Sequence, residues 1–210
     1  MSSALLVAAA LDAGTILALA SLGLLINEKA GILNLGAEGM MLCSALAGFA
    51  AVVHTGSSVM GFGAGMLVGA AMAALFGWLV IWLGTNQYAT GLALSLFGAG
   101  LSAFAGTSYV KEKLPEAVQY KIPLLGDLPF VGEAFFSQHP MVYIAMCITA
   151  GMMWFFFKTR SGLVLRSVGE SPQSAHALGY NVRLIRLGAV MAGGALCGLA
   201  GAYVSTVYTP

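Results

Sequence analysis

Apolar residues fill this chain in long runs separated by brief polar clusters, and the longest run is the most informative. Residues 39–110, between Glu38 and Lys111, contain no Asp, Glu, Lys or Arg at all. A helix crossing a bilayer needs about 20 apolar residues, so this run alone holds two or three crossings. Its breaks are the clusters His54-Thr55-Gly56-Ser57 and Gly84-Thr85-Asn86-Gln87. The pattern predicts membrane helices over residues 4–26, 31–53, 58–83, 88–109, 140–157 and 187–208, the second left open as re-entrant or broken because Glu28, Lys29 and Glu38 crowd its start. In lipid, backbone polar groups must bond within a helix or a closed barrel, and barrel-type alternation is missing here. The expected fold is therefore an all-α polytopic transmembrane helix bundle with six membrane segments. Gly61, Gly65 and Gly69 in the third helix, and Gly194 and Gly198 in the sixth, have the spacing that lets helix backbones approach closely. No Lys or Arg precedes Lys29, so the N-terminal stretch reads as part of the first span rather than as a basic-headed leader.

Composition excludes most other function classes. Hydrophobic residues make up 59% of the 210 positions and charged residues only 8%, against roughly 25% charged in a soluble domain. Such a chain could not cover itself with polar surface in water. A soluble enzyme is excluded, and so is a nucleic-acid binder, whose phosphate contacts need a basic patch. Cys43, Cys147 and Cys197 fall singly in apolar stretches and imply neither disulfide nor metal. His54, His139 and His176 are scattered, and no HExxH, phosphate-loop or GxSxG motif occurs. No catalytic residue, cofactor or metal site is predicted.

Charge placement orients the bundle. Residues 158–186 carry Lys158, Arg160, Arg166, Arg183 and Arg186 against one acid, Glu170, whereas residues 110–139 carry three lysines and four acids. The positive-inside rule puts the first segment in the cytoplasm and the second outside. Counting back through five spans puts the N-terminus outside and Lys29 inside.

Three polar constellations are candidates for function. In the run Gly31-Ile32-Leu33-Asn34-Leu35-Gly36-Ala37-Glu38-Gly39-Met40, an amide and a carboxylate four residues apart would share one face of a helix. A carboxylate in a span is costly, so Glu38 is expected to be protonated, paired or facing a wet cavity, unless it lies at the interface. Asp12, within the 4–26 stretch, poses the same question more weakly, unless the span begins only after it. In the basic segment, Ser171 suits an N-cap, Pro172 the first helical position and Gly179 the position after the end, predicting a short helix over residues 172–178. A helix that short is marginal alone in water and is expected to dock on something, unless it is an ordinary structured loop. The third constellation, residues 121–132, is a proline-broken apolar segment expected along the external membrane surface as a lid or a partner contact.

These motifs together resemble a known family. The run from Gly31 through Met41 is similar to the G-x-x-N-x-G-x-E-G-M-M segment of ABC-importer permeases for nucleosides and simple sugars, within the wider branched-chain amino acid and ribose permease group. Asn86-Gln87 followed by Gly91-Leu92-Ala93-Leu94 resembles its next polar break. The stretch Thr159-Arg160-Ser161-Gly162-Leu163, then Arg166 to Pro172, Ala175 and Gly179, resembles its cytoplasmic coupling region, and Gly198-Leu199-Ala200-Gly201-Ala202-Tyr203 continues the likeness. The family's usual Asn-Pro followed by Glu-Ala-Ala is here Ser171-Pro172-Gln173-Ser174-Ala175.

The resemblance implies a single permease domain over residues 1–210, multi-pass in a bacterial inner membrane and C-terminally incomplete relative to the family. It implies a second, homologous permease subunit, two cytoplasmic ATP-binding subunits that hydrolyse the ATP, an external substrate-binding lipoprotein, and no cofactor. Asn34, Glu38, Asn86 and Gln87 would then belong to the translocation path. Gly169, Glu170, Ser171, Pro172, Ala175 and Gly179 would form the ATPase-coupling site. An ATP-independent secondary transporter or channel, and a non-transporting scaffold, remain alternatives at this point.

Overall fold

The computed structural model describes residues 3–110, 112 and 138–208, in which every regular element is helical. Its helices are α1 (Ser3–Lys29), α2 (Ala37–Thr55), α3 (Ser58–Ile81), α4 (Gln87–Gly106), α5 (Pro140–Lys158), α6 (Arg160–Glu170), α7 (Pro172–Ala177) and α8 (Val182–Tyr203). A 3-10 turn, Thr107–Tyr109, prolongs α4, and a π-helical turn, Val204–Tyr208, prolongs α8. Six helices are long and apolar enough to cross a membrane, as expected. The external segment 121–132 lies outside the described residues.

The ends of the helices follow local chemistry. Gly56 takes φ +68° and its N–H returns to the Val52 carbonyl at 2.8 Å, closing α2 in the left-handed conformation that glycine tolerates. Asn86 accepts from the N–H groups of Tyr88 (2.9 Å) and Ala89 (3.2 Å), which starts α4. His139 Nδ1 accepts from the Met141 N–H at 3.2 Å ahead of Pro140, starting α5. Burial lowers the pKa of His139 and so favours the neutral ring that this cap requires.

Three boundaries depart from expectation. The second span was expected from residue 31, but the helix begins at Ala37, and residues 31–36 form a non-helical strap. Gly31 at φ +77° turns the chain out of α1. The sixth span was expected from residue 187, but α8 begins at Val182 because Asn181 Oδ1 accepts from the Leu184 N–H at 3.2 Å. Arg183 and Arg186 thus ride on its first turns. The predicted helix over 172–178 ends one residue earlier, Leu178 being its cap. It is also preceded by an unforeseen helix, α6.

Packing places α8 at the centre, against α1, α2 and α3. Glycines make these contacts. A Cβ added at Gly198 would press on the Gly65 carbonyl, and one at Gly69 would lie 2.8 Å from the Gly198 Cα. The α2–α4 pair is as close, since a Cβ at Gly98 would lie 2.5 Å from the Gly39 Cα. Backbones this near make many dispersion contacts, the main source of helix association in lipid. Asp12 lies within α1 rather than before the span, and accepts the Tyr203 hydroxyl proton at 3.0 Å, so its carboxylate is partnered inside the bundle.

Candidate functional site: the strap and the basic end

The end of the bundle that carries Lys29, Lys158 and the arginines of α6 and α8 also gathers nearly every predicted site residue. At its centre is the strap. The Ala30 and Ile32 N–H groups both bond to the Asn27 carbonyl (3.1 and 3.0 Å), which folds the chain back beneath α1. A Cβ at Gly31 would lie 3.0 Å from Arg186 Nη2 and 3.1 Å from the Gly169 carbonyl. Both the positive φ and the lack of space therefore require glycine there.

Two sets of contacts hold the strap. On one side Arg186 Nε donates to the Ala30 carbonyl at 3.1 Å, and Gly169 of α6 packs its backbone on Lys29 and Gly31. On the other, the Leu33 N–H donates to Gln87 Oε1 at 2.7 Å and Ser95 Oγ donates to the Leu35 carbonyl at 2.8 Å, both partners lying on α4. The strap is thus fastened to α6 and α8 at its start and to α4 at its middle.

The predicted residues divide accordingly. Asn34 is 5% exposed and lies ahead of α2, so it shares no helix face with Glu38. Its Oδ1 accepts from the Gly36 N–H at 2.9 Å and its Nδ2 points at Met40 Sδ, 3.6 Å away, so Asn34 shapes the strap from within. Glu38 is exposed in the first turn of α2, where the helix dipole favours a negative charge. Asn86 is the cap of α4, and Gln87 is the brace just described. The structure brings Asn34 and Gln87 into one hydrogen-bonded unit and leaves Glu38 on an open face.

The coupling residues are equally divided. Thr159 opens α6 by accepting from the Gly162 N–H at 3.0 Å. Gly162, Leu165 and Val168 bury one face, while Glu170 is exposed at the far end. Ser171 stands at the start of α7, but its hydroxyl donates to Ser174 Oγ at 2.8 Å instead of capping a backbone N–H. Gly179 at φ +88° ends the turn, with the Tyr180 N–H returning to the Ala175 carbonyl at 3.2 Å. Ala175 is 1% exposed and faces this chain's own body, whereas Gln173, Ser174, His176, Ala177 and Leu178 face outward. Between α7, the strap and the end of α3 lies a cavity of about 820 Å³. Its floor is Ile32, Val80 and Ile81, its rim carries Gln87, His176, Arg183 and Arg186, and among the described residues no carboxylate lines it.

Sequence reasoning missed Ser95, Asn27 and Arg186. Asn27 is fully buried, and its side-chain amide has no hydrogen-bond partner among the described residues; it lies against Gly193 of α8. Asn27 gave no signal, because it falls just past the first expected span, 4–26, where an amide is ordinary. Ser95 offered none, because a lone serine in an apolar helix usually bonds its own backbone. Among the described residues no three His, Cys, Asp or Glu side chains group to hold a metal.

Comparison with known proteins adds the following. Residues 6–209 match the family described as the permease component of branched-chain amino acid transport systems. A permease protein of Haloferax volcanii named for a glucose ABC transporter is 42% identical over 96% of this chain and 62% of its own length. A nucleoside ABC transporter permease protein of Lactococcus lactis is 33% identical, covering 94% of this chain and 66% of its own length. A guanosine ABC transporter permease protein of Bacillus subtilis is 33% identical, covering 91% and 64%. The chain thus spans a little under two thirds of the length of each of these relatives. No solved structure matches it significantly.

Proposed function

Because the chain belongs to the family of permease components of branched-chain amino acid transport systems, we propose that it lines the membrane path of an ATP-driven importer for a nucleoside or simple sugar. Two of the relatives above are named for nucleosides and one for glucose, which supports that substrate class. In this reading the basic end faces the cytoplasm. A second, homologous permease subunit completes the path, two ATP-binding subunits seat on α6 and α7, and an external lipoprotein delivers substrate to the opposite end. ATP hydrolysis belongs to those partner subunits.

The double fastening of the strap is the observation that carries the reading. A push on α6 and α7 reaches Gly31 and Ala30 through Gly169 and Arg186. The strap passes it on through Gln87 and Ser95 to α4, which is packed on α2. A short, apolar-tipped helix fastened to spans in this way suits alternating access driven from the cytoplasm. An ATP-independent transporter has no need of it. The deciding experiment reconstitutes the chain with its permease and ATPase partners in vesicles and follows labelled guanosine and glucose. Uptake of one of them only with ATP is expected; equal uptake without the ATPase would favour the secondary-transporter alternative.

Two further outcomes follow from the geometry. Gln87→Leu removes the acceptor for the Leu33 N–H, and one net hydrogen bond is worth about 1 kcal/mol, or roughly fivefold in an equilibrium. Transport should fall by about that factor with the ATPase still bound, and Gln87→Glu, which keeps an acceptor, should restore most of it. Unchanged uptake in Gln87→Leu would remove the strap from the coupling route. For sidedness, single cysteines at Ser174 and Ser58, both exposed and at opposite ends, are placed in a background lacking the native three. Ser58→Cys should react with a membrane-impermeant thiol reagent in intact cells, and Ser174→Cys only after lysis. The reverse pattern would invert the topology.

A further inference from the structure

A second cavity, of about 570 Å³, lies on the flank of the bundle between α1, α5, α6 and α8, within the roughly 300–1,000 Å³ range of ligand sites. Its walls are apolar, with Met152 and Phe155 from α5 and Ile185 and Ala192 from α8. Its mouth carries Arg160, Ser161 and Tyr180, and among the described residues no carboxylate lines it. Among the lining residues the guanidinium of Arg160 is the one full charge.

Depth decides what can enter. Helix α5 has 19 residues, about 28 Å at 1.5 Å per residue, close to the roughly 30 Å hydrocarbon core. Lys158 therefore marks the edge of the core. Phe155 and Met152 lie one and two turns inside it, at the level of acyl chains, while Arg160 lies just outside, at the level of headgroups. The other guanidinium of α6, Arg166, is turned away over the Phe157 ring at 5.7 Å. A soluble partner cannot reach walls buried in lipid, whereas a phospholipid presents an acyl chain and a phosphate at these two depths.

We propose that this groove holds one anionic phospholipid of the leaflet at the basic end, its acyl chain along the α5–α8 wall and its phosphate at Arg160. Ser161 and Tyr180 supply hydroxyl donors to the same headgroup. Because the lipid would lie against α6, it would brace the helix that leads into α7, and the charge of the surrounding leaflet would matter to this protein beyond simple solvation.

The test uses the purified full chain, incubated in neutral detergent with phosphatidylglycerol or phosphatidylcholine of identical acyl chains and weighed by native mass spectrometry. One tightly retained phosphatidylglycerol per chain is expected. Preference over phosphatidylcholine should be about fivefold, the effect of one cation near an anionic headgroup. Arg160→Ala should lower phosphatidylglycerol retention to the phosphatidylcholine level. Gly188 also lines the groove, and a Cβ there meets nothing within 4 Å. Gly188→Leu should therefore fill the groove without disturbing the fold, shown by an unchanged thermal melt, and should abolish retention of both lipids. Equal retention of the two lipids by the native chain, or undiminished phosphatidylglycerol on Gly188→Leu, would overturn the proposal.

Discussion

If the chain works as the importer permease proposed above, replacing Leu178 by arginine is expected to strip the ATP-binding subunits from the complex while the membrane chain stays folded. Leu178 caps α7 with 77% of its surface exposed, at the tip of the basic end. A six-residue helix cannot hold itself by propensity. Here it is held from behind by buried Ala175, and from its ends by the Ser171–Ser174 bond and the left-handed turn at Gly179. That scaffold presents one large apolar side chain toward the aqueous phase, as a docking knob would be presented. Burying a leucine contributes about 1.5–3 kcal/mol, and an arginine in its place would add a charge to be desolvated. Co-purified ATPase should fall at least tenfold, together with substrate-stimulated ATP hydrolysis. Ala175→Arg should behave differently: its side chain would enter the chain's own packing, and folded protein itself should be lost. If Leu178→Arg retains both ATPase and stimulation, α7 is a connecting turn and the docking reading falls.

A large loss of stability is also expected at Gly198. An alanine there would press its Cβ on the Gly65 carbonyl and lie about 3.1 Å from the Gly69 Cα, both of them backbone atoms of α3. No side chain can rotate away, so the two central helices have to separate. Overpacking of this kind costs about 1–3 kcal/mol, and separating helices along their length belongs at or above the upper end. Gly100 is the control. A Cβ there meets nothing within 4 Å, and exchanging a helical glycine for alanine gains about 0.5–1 kcal/mol. Thermal melts in one detergent should therefore place Gly198→Ala well below the native chain and Gly100→Ala at or slightly above it. Equal melting temperatures for the two variants would mean that α3 and α8 do not meet backbone to backbone.

The spans were legible in the sequence because lipid sets a length and a composition that few other structures need. The strap was legible only in part. Glu28, Lys29 and Glu38 crowd the start of the second span and leave it open to a break, but Ile32, Leu33 and Leu35 are as apolar as a span, and nothing local says that Gly31 takes a positive φ. Only its contact with Gly169, well over a hundred positions away, makes the turn necessary. Helix α6 was hidden by its own charges. Arg160, Arg166 and Glu170 entered the sequence reading only as the charges that orient the bundle, although Gly162, Leu165 and Val168 recur at the spacing of three expected of a helix with one buried stripe. Ser171, Pro172 and Gly179 marked α7 correctly to within a residue. Which side of so short a helix faces inward depends on what it rests on, so Ala175 and Leu178 could not be told apart from the sequence. Asn34 and Glu38 seemed alike as polar groups in an apolar run. Their different fates, one sealed in the strap and one left open, follow from where α2 begins.

The central position of α8 has a consequence for biogenesis. The most apolar stretch of this helix is 61% buried, against 22–33% for the other five spans. Tyr203 reaches back 191 positions to Asp12. About 100 residues separate the end of α3 from the start of α8, and at roughly 5–20 residues per second α3 waits about 5–20 s for its main partner. Through that interval α2 covers the Gly61 end of α3, but Gly69, which meets Gly194 and Gly198 of α8, lies open in the bilayer, as ready to pair with another nascent copy as with the helix still to come. A chain arrested before residue 182 would hold five spans and leave that face without its main partner. Cells making this protein are thus expected to hold the early helices at the insertion site until α8 arrives, and to degrade chains in which it does not.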